Sequence, residues 1–156
     1  VIGETPYAET KGDLAPPKTL THTQRYPEDL AALQALQALS AAGKPVVTVF
    51  VSGRPVYAND LLNLSDAFVA AWLPGTEGKG VADVLFADAK GRAQYDFRGR
   101  LSFPWPGTPC GSSFSAAAMG AEPPLFPGGY GLKYGSRRTQ RQVAVSQLSS
   151  CDGARP

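Results

Sequence analysis

The apolar positions of this chain fall into short alternating blocks. Val1-Ile2 run straight into a polar stretch, so the chain opens on the last residues of a β-strand. Residues 5–27 are polar and include Pro16-Pro17 and Pro27. They read as a long irregular excursion, which in a compact domain is usually functional or disordered. Pro27-Glu28-Asp29 opens a helix, because proline suits the first turn and the acids complement the positive end of the helix dipole. Leu30, Leu33, Leu36 and Leu39 follow at near-helical spacing, Gly43 fits a C-terminal cap and Pro45 blocks continuation. Pro45-Val46-Val47-Thr48-Val49-Phe50-Val51 is β-branched and almost continuously apolar, the pattern of a parallel strand buried on both faces. Ser52-Gly53-Arg54-Pro55 ends it, and a short amphipathic stretch runs from Ala58 to Leu64. Ala67-Phe68-Val69-Ala70-Ala71-Trp72 predicts a second buried strand. After the glycine-rich loop from Pro74 to Gly80, the pattern predicts a helix from Val81 to Phe86 with Val81, Val84 and Leu85 on one face.

Strand and helix thus alternate over residues 1–88, which predicts the α/β class: a mainly parallel sheet flanked by helices. Residues 89–135 are rich in glycine, proline and aromatics, with one strand-like run, Gly99-Arg100-Leu101-Ser102-Phe103. Residues 136–156, basic and then polar, read as a linker or a tail on the domain surface. Ligands of parallel sheets sit beyond the carboxyl ends of the strands. The loops 3–27, 52–58 and 73–80 are therefore expected along one sheet edge.

Composition narrows the function classes. The chain of 156 residues is 43% hydrophobic and carries a net charge of +2. It suits one globular domain and gives no basic footprint for nucleic acid. No apolar run approaches the roughly 20 residues of a membrane span. Cys110 and Cys151 allow at most one internal disulfide, and their spacing fits no zinc or redox motif. Whether they pair is left open.

The densest chemistry lies in Gly3-Glu4-Thr5-Pro6-Tyr7-Ala8-Glu9-Thr10-Lys11-Gly12-Asp13, with three carboxylates and a lysine on one loop. Glu4 and Glu9 are the candidates for acid/base work, which burial or a nearby like charge would enable by raising a pKa. Pro6 and Tyr7 stiffen the loop, and Lys11 and Asp13 are placed to pair across it. Arg54, directly after a strand, suits either a loop-holding or a purely structural role. The loop 75–80 matches neither phosphate-binding fingerprint and reads as a tight turn, with Glu77 near a helix start. A nucleotide-binding protein would rest on that loop alone. His22, the only histidine, reads as a surface loop residue; Trp72, Trp105, Tyr95 and Phe103 read as core or interdomain packing.

Six ordered blocks together resemble one family. They are the acid loop 3–13, Ser52-Gly53-Arg54-Pro55, residues 66–78, residues 80–86, Gly99-Arg100-Leu101 with Trp105-Pro106, and Pro124-Leu125-Phe126 with Gly129-Tyr130-Gly131-Leu132. The first 135 residues are similar to the C-terminal part of the second domain of glycoside hydrolase family 3, nearest the bacterial exo-acting β-glucan glucohydrolases. The resemblance implies an (α/β)6 sandwich domain, incomplete on its N-terminal side, that pairs with a barrel domain absent from this chain. The barrel would supply an aspartate nucleophile and this domain the acid/base, by alignment Glu9, with Glu4 as the fallback. Hydrolysis would be retaining and release glucose from the non-reducing ends of β-glucans or cello-oligosaccharides. Tyr7, Lys11, Asp13, Arg54 and Glu77 become candidates for supporting Glu9. No cofactor is implied, and a structural cation is left open. The implied partners are a β-linked gluco-oligosaccharide and the rest of the enzyme, in the periplasm or outside the cell. The competing reading is a non-catalytic carbohydrate-binding or structural module.

Overall fold

The computed structural model describes residues 1–7, 11–14, 17–110, 123–136 and 142–151. Three parallel strands form the sheet in the order β1-β2-β3: β1 is Ile2–Gly3, β2 is Val47–Val51 and β3 is Ala67–Trp72. Helices α1 (His22–Arg25) and α2 (Pro27–Ala41) connect β1 to β2, α3 (Asn59–Asn63) connects β2 to β3, and α4 (Gly78–Leu85) follows β3. The α/β class and the parallel pairing are those that the alternation of apolar blocks predicts.

Local chemistry sets each element. Helix α2 starts on Pro27 with Glu28 and Asp29 in its first turn. It ends in a Schellman motif: Gly43, at φ +77°, donates to the Ser40 carbonyl, and Lys44 donates to that of Leu39. Asp66 then joins this helix end to the sheet by accepting from Ser40 Oγ at 2.9 Å and from the Val46 amide at 2.7 Å. In β2, Thr48, Val49 and Phe50 are buried. Phe50 is the hub of the core, with Leu33, Val56, Ala58, Leu61 and Trp105 in the same cluster and Phe68 against it.

Five expectations are corrected. Strand β3 is half-buried rather than buried, because among the described residues it pairs only with β2 and one edge is left open. Helix α4 begins at Gly78, three residues before the apolar stripe that announces it; Gly75 alone makes the left-handed turn, at φ +55°. Residues 99–103 form no strand. Leu101 and Trp105 exchange backbone hydrogen bonds with residues 125–130, but Pro104, Pro106 and Pro127 lack the amides that a regular ladder needs. The excursion 5–27 contains the four-residue helix α1, too short to stand alone. His22, at its start, is buried, not on the surface: Nε2 meets Asp29 Oδ2 at 2.6 Å while the ring stacks on Tyr26 and meets Phe50 edge-on.

Residues 142–151 run along the domain as a strap. Asn63 holds Val143 at both its amide and its carbonyl. Tyr57 Oη accepts from the Ser146 amide at 2.6 Å and donates to the Ala144 carbonyl, to which Asn59 Nδ2 also donates. Gln24 donates to the Leu148 carbonyl, and the Cys151 amide donates to that of Pro17. A disulfide between Cys110 and Cys151 closes the strap.

Candidate functional site

The carboxyl ends of β1, β2 and β3 bring Glu4, Ser52–Arg54 and Trp72 to one edge of the sheet. The Glu4 amide extends the β1–β2 pairing by donating to Val51. Gly3 is required there, because a Cβ would lie 2.0 Å from the Val51 carbonyl oxygen. The register between β2 and β3 slips at Val51, which pairs with Trp72, and Trp72 sits at φ +56°. Such backbone strain in a large residue is held only where the surroundings fix it. Here Ser52 donates to the Trp72 carbonyl and the indole packs against Trp105.

Glu4 is the centre of the site, with its side chain 1% exposed. Its Oε1 receives Arg54 Nη2 at 2.7 Å and Arg25 Nη1 at 2.7 Å, and its Oε2 receives Arg54 Nε at 3.1 Å. Ser52 Oγ stands 2.5 Å from Oε2 and 2.8 Å from the Arg54 carbonyl, so its single proton serves one of the two. Burial pushes the Glu4 carboxyl up, but hydrogen bonds from Arg54 and Ser52 and the charges of Arg54 and Arg25 outweigh it, so its pKa lies below the ordinary value.

The same Arg54 reaches the acid loop on both sides of residues 8–10. Its guanidinium lies over the Tyr7 ring, 4.1 Å from the centroid, and its Nη1 donates to the Gly12 carbonyl at 2.7 Å. Gly12 is at φ +103°, and a Cβ there would come 2.7 Å from Tyr7 Cβ. Burial raises the Tyr7 phenol, against the opposing charge of Arg54. Thr5 is tied to Tyr26 Oη through its amide and its hydroxyl. A groove of about 370 Å³ runs beside this cluster, lined by Gly12, Asp13, Lys18, Arg25 and the strap residue Ser149 among others.

Of the residues singled out in the sequence, Glu4, Tyr7 and Arg54 are thus in direct contact. Asp13 contributes its backbone carbonyl, which accepts from Lys18, and Lys11 is exposed one position before Gly12. Glu77 precedes α4, and its carboxylate accepts from Thr76 at 3.3 Å, away from the cluster. Glu9 lies outside the described residues. Sequence reasoning missed Arg25 and Tyr26: they lie about 20 positions from Glu4 and Thr5, and only the fold of the excursion brings them back. No group of three His, Cys, Asp or Glu side chains arranged to hold a metal occurs among the described residues. No described helix is long and apolar enough to cross a membrane.

Comparison with known proteins points one way. Residues 13–134 match the model of the glycosyl hydrolase family 3 C-terminal domain. The chain is 35% identical to a lysosomal beta glucosidase of Dictyostelium discoideum, over 86% of this chain and 15% of that protein. It is 38% identical to a xylan 1,4-beta-xylosidase of Xylanibacter ruminicola, over 76% of this chain and 14% of that protein. It is 33% identical to a periplasmic beta-glucosidase of Salmonella typhimurium, over 64% of this chain and 15% of that protein. In structure it superposes on an exo-1,3/1,4-beta-glucanase of a Pseudoalteromonas species with a TM-score of 0.81 and 44% identity, covering 92% of this chain and 17% of that one. The chain therefore spans about a sixth of the length of these relatives, 15% of the first. These matches place the chain in glycoside hydrolase family 3, with residues 13–134 corresponding to that family's C-terminal domain.

Proposed function

We propose that this chain supplies the general acid/base of a retaining, exo-acting β-glucosidase or β-glucan glucohydrolase, with Glu9 in that role. The observation that carries the choice is the state of Glu4. A carboxylate held by two arginines, with its pKa pushed down, keeps no proton to give near neutral pH. Glu9, the other glutamate of the loop, is bracketed by Tyr7 and Gly12, both fixed by Arg54. Lys11, Asp13 and Glu77 are proposed as more distant support. An aspartate of the barrel domain attacks the anomeric carbon as Glu9 protonates the departing glycosidic oxygen. Glu9 then takes a proton from the water that cleaves the glycosyl-enzyme. The two carboxyls would lie roughly 5 Å apart, as retention requires.

The names of the relatives support release of glucose from the non-reducing ends of β-linked gluco-oligosaccharides. The similarity to a xylosidase favours β-xylosides as the second reading, decided by kcat/KM on paired aryl glucosides and xylosides. A periplasmic or extracellular location is supported by the likeness to a periplasmic enzyme and by the disulfide, which persists in oxidising compartments. No cofactor is invoked.

The test is a Glu9→Gln variant of the full-length enzyme, with Glu4→Gln alongside. Glu9→Gln is expected to lose about 100-fold or more in kcat/KM on alkyl glucosides or cellobiose and far less in kcat/KM on dinitrophenyl glucosides, whose leaving groups need no protonation. Equal loss on both substrates, or the selective loss appearing in Glu4→Gln instead, would overturn the assignment.

A further inference from the structure

Resting on the acid/base reading above, we propose that the strap at residues 142–151 is a positioning element for the acid loop and acts through Arg25. The strap lies beyond the residues matched to the family, and nothing in the proposed chemistry requires it. Its first residues are held by Tyr57, Asn59 and Asn63, and its last residues reach the segment that carries Arg25. The Cys151 amide holds Pro17, Gln24 holds Leu148, and the Leu20 amide donates to the carbonyl of Pro109, the neighbour of Cys110. Tyr57, whose hydroxyl grips the strap at Ala144 and Ser146, pairs through its backbone with Leu20 and His22.

Helix α1 is therefore touched by the strap at Gln24 and by the Tyr57 backbone at His22, and the disulfide holds the chain just before it at Pro17 and Leu20. At four residues it has no internal means of holding its own position. Arg25, its last residue, places Nη1 2.7 Å from Glu4 Oε1, the oxygen that also receives Arg54 Nη2. Arg54 in turn fixes Tyr7 and Gly12. A continuous set of contacts thus runs from the Cys110–Cys151 link to the two feet of the loop bearing Glu9. Loosening the strap would leave α1 held by His22, Thr23 and the Tyr57 backbone, weaken the Arg25 contact with Glu4 and let the loop feet drift.

The experiment is a double-mutant cycle in the full-length enzyme. One arm is Cys110→Ser with Cys151→Ser, and a milder arm is Tyr57→Phe, which keeps the buried ring and removes its grip on the strap. Each is combined with Arg25→Met. Either strap change is expected to lower kcat/KM about tenfold on alkyl glucosides, to spare kcat/KM on dinitrophenyl glucosides and to speed amide exchange across residues 20–26. Arg25→Met should reproduce the kinetic loss, Arg25→Lys should restore part of it, and strap changes added to Arg25→Met should cost nothing more. Losses that multiply, unchanged exchange at residues 20–26, or equal effects on both substrate classes would overturn the inference while Glu9→Gln keeps its selective loss. Full activity of Glu9→Gln on alkyl glucosides would instead overturn the reading beneath it.

Discussion

Arg54 meets Glu4 edge-on, with Nη2 2.7 Å from Oε1 and Nε 3.1 Å from Oε2. This two-pronged pairing is the fixed point from which the rest of the sheet edge is arranged. Its carboxylate is almost fully enclosed, and Arg25 and Ser52 saturate what Arg54 leaves.

Removing that charge should be costly. Glu4→Gln leaves two guanidinium groups facing one neutral amide, and loss of one partner of a buried pair costs about 3–5 kcal/mol. Thermal and urea unfolding of the full-length enzyme should show a clear loss of stability. A melting temperature within a degree or so of wild type would mean that the pair is held more loosely than its distances imply.

The same carboxylate makes the fold acid-labile. The folded-state pKa of Glu4 lies below its ordinary value of 4.5, so at pH values between the two the unfolded chain binds more protons. The stabilisation is complete above 4.5 and is lost as pH falls through the folded value. Asp66 and Asp88, lowered chiefly by backbone hydrogen bonds from Val46 and Arg92, act in the same direction. Urea unfolding from about pH 6 down to about pH 3 should therefore show a steeper loss in wild type than in Glu4→Gln, the difference being the share of Glu4.

Gly53 leaves room for Tyr7. A Cβ at residue 53 would sit 2.6 Å from the Tyr7 hydroxyl and 3.1 Å from Leu73 Cδ1. Gly53→Ala should push the Tyr7 ring off the Arg54 guanidinium and cost about 1–3 kcal/mol of stability. On the acid-loop reading it should also lower kcat/KM on alkyl glucosides more than on dinitrophenyl glucosides. Gly75→Ala, with open space around its Cβ but φ +55°, is the comparison: backbone strain and lost stability without the kinetic selectivity.

The disulfide joins residues 41 positions apart, and a cross-link over that span is worth about 4 kcal/mol in the chain-entropy model. Cys110→Ser with Cys151→Ser should lower the unfolding midpoint accordingly. An unchanged midpoint would show that hydrogen bonds hold the strap without covalent help.

The sheet was legible because its signals are local. Val47–Val51 is β-branched and apolar, Pro27, Glu28 and Asp29 mark a helix start, and Gly43 marks a helix end. Glu4, Tyr7 and Arg54 were legible as a group because all lie just beyond strand ends, where a parallel sheet gathers its loops. Arg25 and His22 were not. Each owes its role to a partner brought in by tertiary folding, Glu4 for Arg25 and the aromatic pocket of Tyr26 and Phe50 for His22, and neither carries a neighbouring pattern that announces it. The run 99–103 misled for the opposite reason: its apolar alternation is genuine, but prolines in and beside its pairing partners withhold the amides of a ladder.

The Cys110–Cys151 bond also makes a covalent ring of everything between those two positions. A single peptide-bond cleavage anywhere inside that ring adds one water and releases nothing. The two pieces would travel together on a denaturing gel until a reductant parts them, so a preparation judged intact without reductant can already have been cut.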